Sequence, residues 1–576
     1  MVLSGTQVIL SHTTYVASQG RRGFRTRPVP VMMATMLHTD VPAQMIAPSE
    51  LSGAGASIMP SEQRAAAEQQ PTPRFQLDHS AAPYADALEA YADRGSVQLM
   101  VPGHGGTEDD LSGRLAGFLG ERALRLDIPM LMDGVDLLAR GQEQTPLDRA
   151  LELAADAWGA KRTWFLTNGA SQANRTIALA ARGLGDRILA QRSAHSSFSD
   201  GILLAGITPS YVMPNVDAEH GMAHGVSPAA LEAALVEAEQ AGNPAHAVYV
   251  ISPSYFGSVS DVQGLARVAH AHNAPLIVDG AWGPHFGFHP ELPESPARLG
   301  ADVVISSTHK LAGSLTQSAM LHLGDGPFAD RLEPLIERAF SMTASTSTSA
   351  LLRGSLDIAR HALATGEESI GRSVAGARRF REILREDPRF AVVSDTFDRF
   401  DDIVDTDLLR VPIDVSGAGV GGHWLRQHLV EHHDMYFEMS TATSIVAVIG
   451  AGKSHDFDAV YAAIVASVES PEADRERAAA GDAHDFPSLP APGAYRVSPR
   501  DGFFGATEVV SATEAVGRVS ADTLAAYPPG IPNVMPGEEI TEEAVAFLQA
   551  VAASPTGYVR GAIDPAVDRF RVLAGG

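Results

Sequence analysis

The chain has 576 residues, a formal net charge of −26 at pH 7 and no cysteine. The missing cysteines exclude disulfides and thiolate metal sites, and the negative charge argues against nonspecific binding to nucleic acid. No uninterrupted apolar stretch approaches the ~20 residues that a membrane-spanning helix needs. We therefore expect a cytoplasmic protein without a membrane, nucleic-acid or metal partner, and the length predicts roughly three or four folding units.

The first 75 residues differ from the rest of the chain. Arg21, Arg22, Arg25 and Arg27 cluster there among Ser, Thr and Gly, with no acidic residue nearby. Such a composition cannot build a core. It predicts a disordered tail, or an extension created by a start codon assigned too early, and a targeting segment is the alternative.

Regular structure is predicted to begin near Ala82, where Tyr84, Leu88 and Tyr91 recur at helical spacing before Gly95. From about residue 145 to 325, short apolar runs alternate with amphipathic stretches. The predicted strands are 163–166, 187–190, 247–251, 276–278 and 303–305, and the predicted helices are 172–182, 228–241 and 262–272. This alternation predicts an α/β domain over residues 76–372, with a mostly parallel sheet covered on both faces.

The pattern changes after residue 372 and predicts a small α/β domain over 373–470. Its predicted helices are 373–385 and 422–431, and its predicted strands are 391–393, 408–415, 436–439 and 444–449. Residues 471–495 are rich in Pro, Ala, Asp and Glu, which is typical of a linker. A last domain is expected over 496–576.

Lys310 is a rare amine in this chain, because only three of the 43 basic residues are lysine (Lys161, Lys310 and Lys453). It follows the apolar run 301–305 directly. Arginine cannot replace lysine where the chemistry needs a nitrogen that loses its proton, as in a Schiff base. A surface lysine at a strand end is the alternative.

Three further features predict a pyridoxal phosphate (PLP) site around Lys310. Asp279 ends a predicted strand, where a carboxylate could keep the pyridinium nitrogen protonated. The turn 167–172 begins a predicted helix, where free N–H groups and the Ser171 hydroxyl suit a phosphate. His195 follows another strand and could stack on the ring. Each feature alone has a plainer explanation: a capping or loop carboxylate, an ordinary helix N-cap and a polar loop histidine.

The sequence also resembles a known family, the Orn/Lys/Arg decarboxylases of the fold-type-I PLP enzymes, over about residues 80–576. The matching segments are Pro-Gly-His at 102–104, Thr-Asn-Gly at 167–169, 252–257, Asp-Gly-Ala-Trp at 279–282, Ser-Thr-His-Lys at 307–310, 346–349 with 355–357, and the C-terminal pieces 499–504, 527–532 and 535–538. The C-terminal pieces are the most specific, because other fold-type-I enzymes lack them. The resemblance implies a fold-type-I large domain, a small α/β domain and a C-terminal α+β domain, without the N-terminal wing domain of larger relatives.

The resemblance also implies roles for individual residues. Lys310 would form the Schiff base with PLP, Asp279 would pair with the pyridinium, His195 would stack on the ring and Ala281 would pack beneath it. The residues implied around the phosphate are Gly169, Ala170, Ser171, Ser307, Thr308 and His309. Thr346 and Ser347 would reach the cofactor of a neighbouring subunit in a homodimer or an assembly of dimers.

Four positions depart from the usual family pattern. Gly105 and Ser196 stand where the family usually has lysine. Ala170 stands where it often has Ser or Thr, and Gly502 where it often has Ala. These departures leave the choice of substrate open.

The expected activity is decarboxylation of a basic amino acid, arginine or lysine rather than ornithine, to an amine for polyamine metabolism. Lys310 or His309 would return the proton to Cα. Asp501 and Glu538 are candidate partners for the distal cation of the substrate, because a buried unpaired charge is costly. Another fold-type-I enzyme, such as an aminotransferase, and a non-catalytic regulator are the alternatives.

Overall fold

The computed structural model describes residues 77–107, 112–128, 144–479, 489–527, 530–554 and 557–575. The expectations for residues 1–75 lie outside these ranges, as does the part of the predicted linker at 480–488. Among the described residues, no helix is both long enough and apolar enough to cross a membrane.

The helices in the described ranges begin and end as follows: α1 Pro83–Asp93, α2 Gly113–Leu119, α3 Glu121–Leu126, α4 Pro146–Trp158, α5 Gly169–Ala181, α6 Ser196–Ala205, α7 Pro228–Gln240, α8 Val262–Ala271, α9 Thr308–Leu311, α10 Ala329–Thr343, α11 Ala350–Ala364, α12 Glu367–Arg385, α13 Gly422–His433, α14 Phe457–Val468, α15 Pro471–Ala479, α16 Pro499–Phe504, α17 Ala512–Ala515 and α18 Glu542–Ala553. Two 3₁₀ helices cover Val393–Arg399 and Ser416–Ala418.

The strands in the same ranges are β1 Arg162–Leu166, β2 Arg187–Gln191, β3 Thr208–Val212, β4 Val216–Asp217, β5 Met222–Ala223, β6 Val248–Ile251, β7 Ser258–Ser260, β8 Leu276–Asp279, β9 Val303–Ser306, β10 Ala319–Leu323, β11 Ala391–Val392, β12 Ile403–Thr406, β13 Arg410–Asp414, β14 Met439–Ser440, β15 Ser444–Val448, β16 Thr507–Ser511, β17 Leu524–Tyr527, β18 Pro532–Val534, β19 Tyr558–Arg560 and β20 Arg569–Leu573.

The main sheet has the strand order β1-β10-β9-β8-β6-β2-β3. The strands from β9 to β3 pair in parallel, whereas β10 runs antiparallel to both β1 and β9. The five predicted strands of this region all form, and the prediction of a mostly parallel sheet is confirmed. Two strands, β3 and β10, were not predicted.

The two faces of this sheet belong to different apolar cores, since successive side chains of a strand point to opposite faces. Ile188, Tyr249 and Ile277 pack with the side chains of α5, α6 and α10. Leu189 and Val248 pack instead with those of α7 and α8. Both faces of the sheet are therefore covered, as the alternation of strands and helices predicts.

The small domain is built on the antiparallel sheet β11-β13-β15-β14. Helix α12 packs on it but begins at Glu367, six residues before the predicted start at Ser373. Strand β14 covers Met439–Ser440 and overlaps the predicted strand 436–439 only at Met439. The side chains of this domain share one apolar core with α1 and α4.

The C-terminal part mixes small antiparallel sheets with one longer helix. Strand β16 pairs with β20, β17 lies between β18 and β19, and α18 packs against them. This is the expected α+β arrangement. The predicted linker is not irregular throughout, because it contains α15, where Ala473 is fully buried.

Candidate active site

The predicted site residues follow the carboxyl ends of the parallel strands, where ligands of open α/β sheets bind. Strand β2 leads to His195, β8 ends on Asp279, and β9 leads into the short helix that carries Lys310. Because β2, β6, β8 and β9 are parallel neighbours, these three residues lie along one edge of the sheet.

Lys310 is partly buried and lies above an aromatic ring. Its Nζ atom is 3.6 Å from the centre of the Trp282 ring. Burial lowers the pKa of the Lys310 amine to about 8. The Asp279 carboxylate opposes this shift in pKa, whereas the Arg410 guanidinium adds to it. The environment thus raises the fraction of neutral amine, which is the form that attacks a carbonyl.

Asp279 is buried at the end of β8, and both of its carboxylate oxygens accept hydrogen bonds. Oδ2 accepts from Asn174 Nδ2 at 3.2 Å and from the Tyr249 hydroxyl at 2.6 Å. Oδ1 accepts from the Ala281 N–H at 3.1 Å. These donors fix the orientation of the buried carboxylate.

His195 caps the N-terminus of α6 and faces an open cavity. Its Nδ1 atom lies 2.8 Å from Ser197 Oγ and accepts a hydrogen bond from the Ser197 N–H at 3.2 Å. Partial burial lowers the pKa of His195. Asp279 raises this pKa and Lys310 lowers it, so the three predicted catalytic groups are close enough to act on one another electrostatically.

The predicted phosphate turn joins β1 to α5. Gly169 has a φ of +71°, which favours glycine, and a Cβ atom there would meet nothing within 4 Å. Gln317 fixes the turn, because its carbonyl accepts the Gly169 N–H at 2.8 Å and its amide donates to Asn168 Oδ1 at 3.0 Å. Ala170 and Ser171 lie in the first turn of α5, whose N–H groups have no partner within the helix.

The second predicted phosphate segment lies beside this turn. Ser307 precedes α9, and Thr308, His309 and Lys310 belong to it. His309 Nδ1 lies 2.9 Å from the carbonyl oxygen of Ser318, the residue that follows Gln317. The Thr308 hydroxyl is buried without a hydrogen-bond partner in the described part of the chain. The structure therefore joins both segments through residues 317 and 318.

A cavity of about 630 Å³ opens beside His195. It is bounded by the loop after β2, by Tyr255, by the small-domain strand β14 and by the C-terminal residues Tyr527, Tyr558 and Arg560. Lys310 and Asp279 are not among its lining residues, so the cavity approaches the predicted site from the His195 side. Among the described residues that line it, Asp200 is the acidic one.

The remaining predicted cofactor residues have different surroundings. Ala281 lies two residues after Asp279 and is partly buried. Thr346 and Ser347 are exposed in the loop before α11, and neither lines the cavity. Their predicted role in a neighbouring subunit stays a prediction.

The two acidic residues predicted for the substrate cation have other partners in this chain. Glu538 is buried and receives both Nη atoms of Arg192, at 2.5 and 2.8 Å, and the Met535 N–H at 2.9 Å. Asp501 is exposed and accepts from the hydroxyl of Ser498, the N-cap of α16, at 2.7 Å. Neither carboxylate lines the cavity, which differs from the expectation that they would face the substrate.

Several residues of the site were missed by the sequence reasoning. Asn174, Tyr249 and Gln317 hold the predicted groups, and Arg410 lies with its guanidinium carbon 3.9 Å from the centre of the Trp282 ring. The Nε and Nη2 atoms of Arg410 are buried without a hydrogen-bond partner in the described ranges. Trp282 belongs to the Asp-Gly-Ala-Trp motif at 279–282. Asn174, Tyr249, Gln317 and Arg410 carry no local sequence signal for their roles.

Two departures from the family pattern have a backbone explanation. Gly105 has a φ of +57°, where glycine is favoured over lysine. A Cβ atom on Gly502 would lie 2.3 Å from the Gly537 backbone nitrogen, so the close approach of these two segments requires glycine.

Comparison with known proteins identifies the family of this fold and site. The family model described as the major domain of Orn/Lys/Arg decarboxylase matches residues 82–407, and the model of its C-terminal domain matches residues 496–557. An arginine decarboxylase of Bacillus subtilis is 33% identical over 498 residues, covering 85% of this chain and 97% of the relative. An arginine decarboxylase of Bacillus anthracis is 30% identical over 502 residues, covering 87% and 98%.

A solved structure shows the same fold. The lysine decarboxylase of Francisella novicida superposes with a TM-score of 0.71 at 19% sequence identity, covering 85% of this chain and 81% of that one. At this identity the likeness concerns the fold alone.

Proposed function

The chain belongs to the Orn/Lys/Arg decarboxylase family, and from this premise we propose that its substrate is arginine. It is a PLP-dependent amino-acid decarboxylase. The reaction releases the α-carboxylate as CO2, and a proton takes its place on Cα, so that arginine yields its amine. The observation that carries the choice of substrate is the similarity to arginine decarboxylases along almost their whole length.

The residues of the site suit PLP in their chemistry. The open space at Gly169, beside the N-terminus of α5, suits an anionic phosphate. Asp279 offers Oδ1, which accepts from the Ala281 N–H and has a second lone pair for a pyridinium N–H. Lys310 offers an amine with a depressed pKa. All three requirements of PLP, for its phosphate, ring nitrogen and aldehyde, thus have a suitable residue.

Each residue then has a defined task. PLP, when bound, supplies a conjugated ring that accepts the electron pair left on Cα. Lys310 holds the cofactor between turnovers, and Asp279 keeps the proton on its ring nitrogen. Ser171, Ser307 and His309 hold the phosphate. Lys310 or His309 returns the proton to Cα after CO2 has left.

The cavity beside His195 is proposed to receive the side chain of the substrate. Asp200 supplies a carboxylate, and Tyr527 and Tyr558, whose rings stack with centres 5.0 Å apart, supply aromatic faces for a guanidinium. Asp200 already pairs with Arg175 at 2.9 Å at an exposed position. It can therefore exchange that partner for a substrate cation at little cost.

The three lysines of the chain permit a sharp test of the cofactor site. Purified protein is loaded with PLP and reduced with borohydride, which fixes the cofactor to its lysine. We expect the label on the peptide that contains Lys310 and no visible absorbance band in Lys310→Ala. Lys161→Ala and Lys453→Ala are matched controls that keep the band. A label on either of those peptides would overturn the assignment.

A substrate panel tests the reaction. Wild-type protein with PLP is given arginine, lysine and ornithine, and CO2, amine and keto acid are measured. We expect CO2 and amine in equal amounts, fastest from arginine. A keto acid in place of CO2 would indicate an aminotransferase, and no turnover on any of the three would indicate a non-catalytic regulator. A preference for lysine would contradict the proposed substrate.

We also propose that the chain forms a homodimer. Thr346 and Ser347 are exposed, and Val97 and Leu99 are 87% and 96% exposed, which is unusual for large aliphatic side chains so close together. A second subunit would cover such a surface. Light scattering on the loaded enzyme measures the mass, and a monomer at micromolar concentration would refute the dimer.

A further inference from the structure

Asn174 lies at the centre of a buried network beneath the site. Its side chain is only 1% exposed. Its Nδ2 atom donates to Asp279 Oδ2 at 3.2 Å and to Ser197 Oγ at 3.1 Å, and its Oδ1 atom lies 2.8 Å from the Tyr249 hydroxyl. Both amide protons are therefore used. The reversed amide would set its oxygen against the Asp279 carboxylate, so this network fixes the orientation of the amide.

The network continues from Ser197 to His195. Because Ser197 Oγ accepts the Asn174 proton, its own proton is directed to His195 Nδ1, 2.8 Å away. The Ser197 N–H donates to the same nitrogen. An imidazole nitrogen that accepts from two donors carries no proton, so the neutral ring carries its proton on Nε2.

We propose that Asn174 is a positioning residue for the decarboxylation, which sets the Asp279 carboxylate directly and the His195 ring and its tautomer through Ser197. This inference rests on the proposed function, which assigns Asp279 to the ring nitrogen of PLP and His195 to its ring face. Asn174 does not itself reach the reacting atoms in this role. It orients two groups that are 84 residues apart in the sequence from a single amide.

The amide serves two chemical demands at once. The buried Asp279 carboxylate must hold one orientation, and each hydrogen bond from a neighbouring donor fixes it. His195 would have to stay neutral beside a PLP ring whose nitrogen carries a proton, because a second cation there would be repelled. The hydrogen bond from Asn174 to Asp279 holds the carboxylate in place. The hydrogen bond from Asn174 to Ser197 orients the Ser197 hydroxyl toward His195 Nδ1, which favours the neutral ring.

Three variants separate the branches of the network. Asn174→Ala removes both branches. Tyr249→Phe removes a donor to Asp279 and the hydroxyl beside Asn174 Oδ1, but leaves the contacts of Ser197. Ser197→Ala removes the hydroxyl donor to His195 and an acceptor of Asn174, but leaves the donors to Asp279. Thr176→Ala is the matched control. Thr176 lies on the same helix and is buried, but its hydroxyl bonds to Thr343, away from the site.

Two readouts are measured on the PLP-loaded protein: the dissociation constant of PLP, and the pH dependence of kcat and KM. Asn174→Ala and Tyr249→Phe are expected to weaken PLP binding by roughly tenfold or more, the effect of losing a hydrogen bond to a charged group. Ser197→Ala is expected to leave PLP binding within about threefold and to move the acidic limb of the kcat profile to higher pH, by roughly half a unit or more, because His195 gains a proton more easily. Ser197→Thr is expected to restore the wild-type limb.

Three outcomes are decisive. If Asn174→Ala matches Thr176→Ala in both readouts while the wild type binds PLP and releases CO2, the inference fails and the proposed function stands. If all variants lose PLP and thermal stability together, with no difference between branches, Asn174 is a structural residue only and the inference also fails. If the wild type neither binds PLP nor releases CO2, the proposed function has failed first.

Discussion

The amine of Lys310 lies 3.6 Å from the centre of the Trp282 ring. The guanidinium of Arg410 lies against the same ring, so two cationic groups share one indole. Arg410 is fully buried, and burial lowers its pKa to about 10, which leaves it charged at neutral pH. A permanent charge so near Lys310 disfavours protonation of the amine.

The first prediction concerns the pH at which the enzyme takes up its cofactor. The neutral amine reacts with the aldehyde, so uptake by cofactor-free protein should rise with pH through the pKa of Lys310, about 8. Arg410→Met removes a charge that lowers this pKa and should move the midpoint up by roughly half a unit to one unit. Arg162→Met, at an arginine that pairs with Glu333 and Glu337 and is not among the charges that act on Lys310, is the control.

A charge of the opposite sign sharpens this test. The Glu438 carboxylate raises the pKa of Lys310, so Glu438→Gln should move the midpoint of uptake to lower pH. Stopped-flow absorbance at a series of pH values gives all the midpoints. Equal midpoints in the Arg410 and Glu438 variants would show that these charges do not tune the amine.

The second prediction concerns the buried pair that joins the C-terminal domain to β2. Arg192 and Glu538 are each 1% exposed, and both carboxylate oxygens of Glu538 accept hydrogen bonds from the Arg192 guanidinium. Glu538→Ala leaves the Arg192 charge buried without its partner, which should lower the free energy of unfolding by about 3–5 kcal/mol. Arg496→Ala, which breaks the exposed pair with Glu539, is the matched control and should cost about 1 kcal/mol or less.

Denaturant unfolding followed by tryptophan and tyrosine emission measures both losses. The double variant Arg192→Met with Glu538→Leu should recover most of the loss, because it leaves no charge buried. If Glu538→Ala unfolds like the Arg496 variant, the buried pair does not carry the stability of this junction.

The sequence predicted those parts of the fold whose signal is local. Apolar runs such as 247–251 and 303–305 are buried on both faces of a parallel sheet, and the fold class that they predict is confirmed. Strand β10 was missed because its antiparallel place between β1 and β9 follows from no feature of its own five residues. Helix α15 was not predicted because its composition is typical of a linker, although Ala473 within it is fully buried.

The site shows the same division. Lys310, Asp279 and His195 could be predicted because each lies at or just after a strand end that the sequence marks. Asn174 could not, because its partners lie 23 and 105 residues away. The observed contacts of Glu538 differ from its expected role for a similar reason. Its acidic side chain and its motif are visible in the sequence, but its partner Arg192 lies 346 residues earlier.

The third prediction is a pH dependence of stability. His220 donates from Nδ1 to Asp217 at 2.7 Å, and its Nε2 lies 3.9 Å from Asp414 at the end of β13. Burial alone would lower the pKa of His220, but these two carboxylates raise it to about 9. A raised pKa stabilises the fold fully below the unfolded pKa of about 6.5, and this stabilisation is lost as the pH rises through about 9.

His220→Asn should therefore reduce stability at pH 6 by about 1–2 kcal/mol after allowance for solvent screening. The difference from wild type should shrink as the pH approaches 9. The neighbouring Glu219 and Arg399 face solvent as a weak pair at 3.8 Å and contribute little. Melting curves from pH 6 to 9.5 measure the effect, and a difference that does not change with pH would refute it.

The fourth prediction tests whether Thr346 and Ser347 act on the site of another subunit. A double variant with Ala at both positions is expected to be inactive, as is Lys310→Ala. Mixed and reassociated, the two proteins should regain about a quarter of wild-type activity, because each hybrid dimer carries one intact site. No regain, with hybrid dimers present by mass, would mean that the residues act within their own chain, and an active double variant would remove them from the site.

The fifth prediction follows from the contact between Gly502 and Gly537. A Cβ atom on Gly502 would lie 2.3 Å from one backbone atom of Gly537 and 2.7 Å from another. Gly502→Ala should therefore destabilise the protein by about 1–3 kcal/mol, the usual cost of overpacking.

Gly117→Ala is the matched control, since Gly117 lies in α2 and a Cβ there meets nothing within 4 Å. It should be neutral or stabilising, because alanine favours a helix. Equal melting temperatures for both variants would mean that α16 can move away from Gly537 without cost.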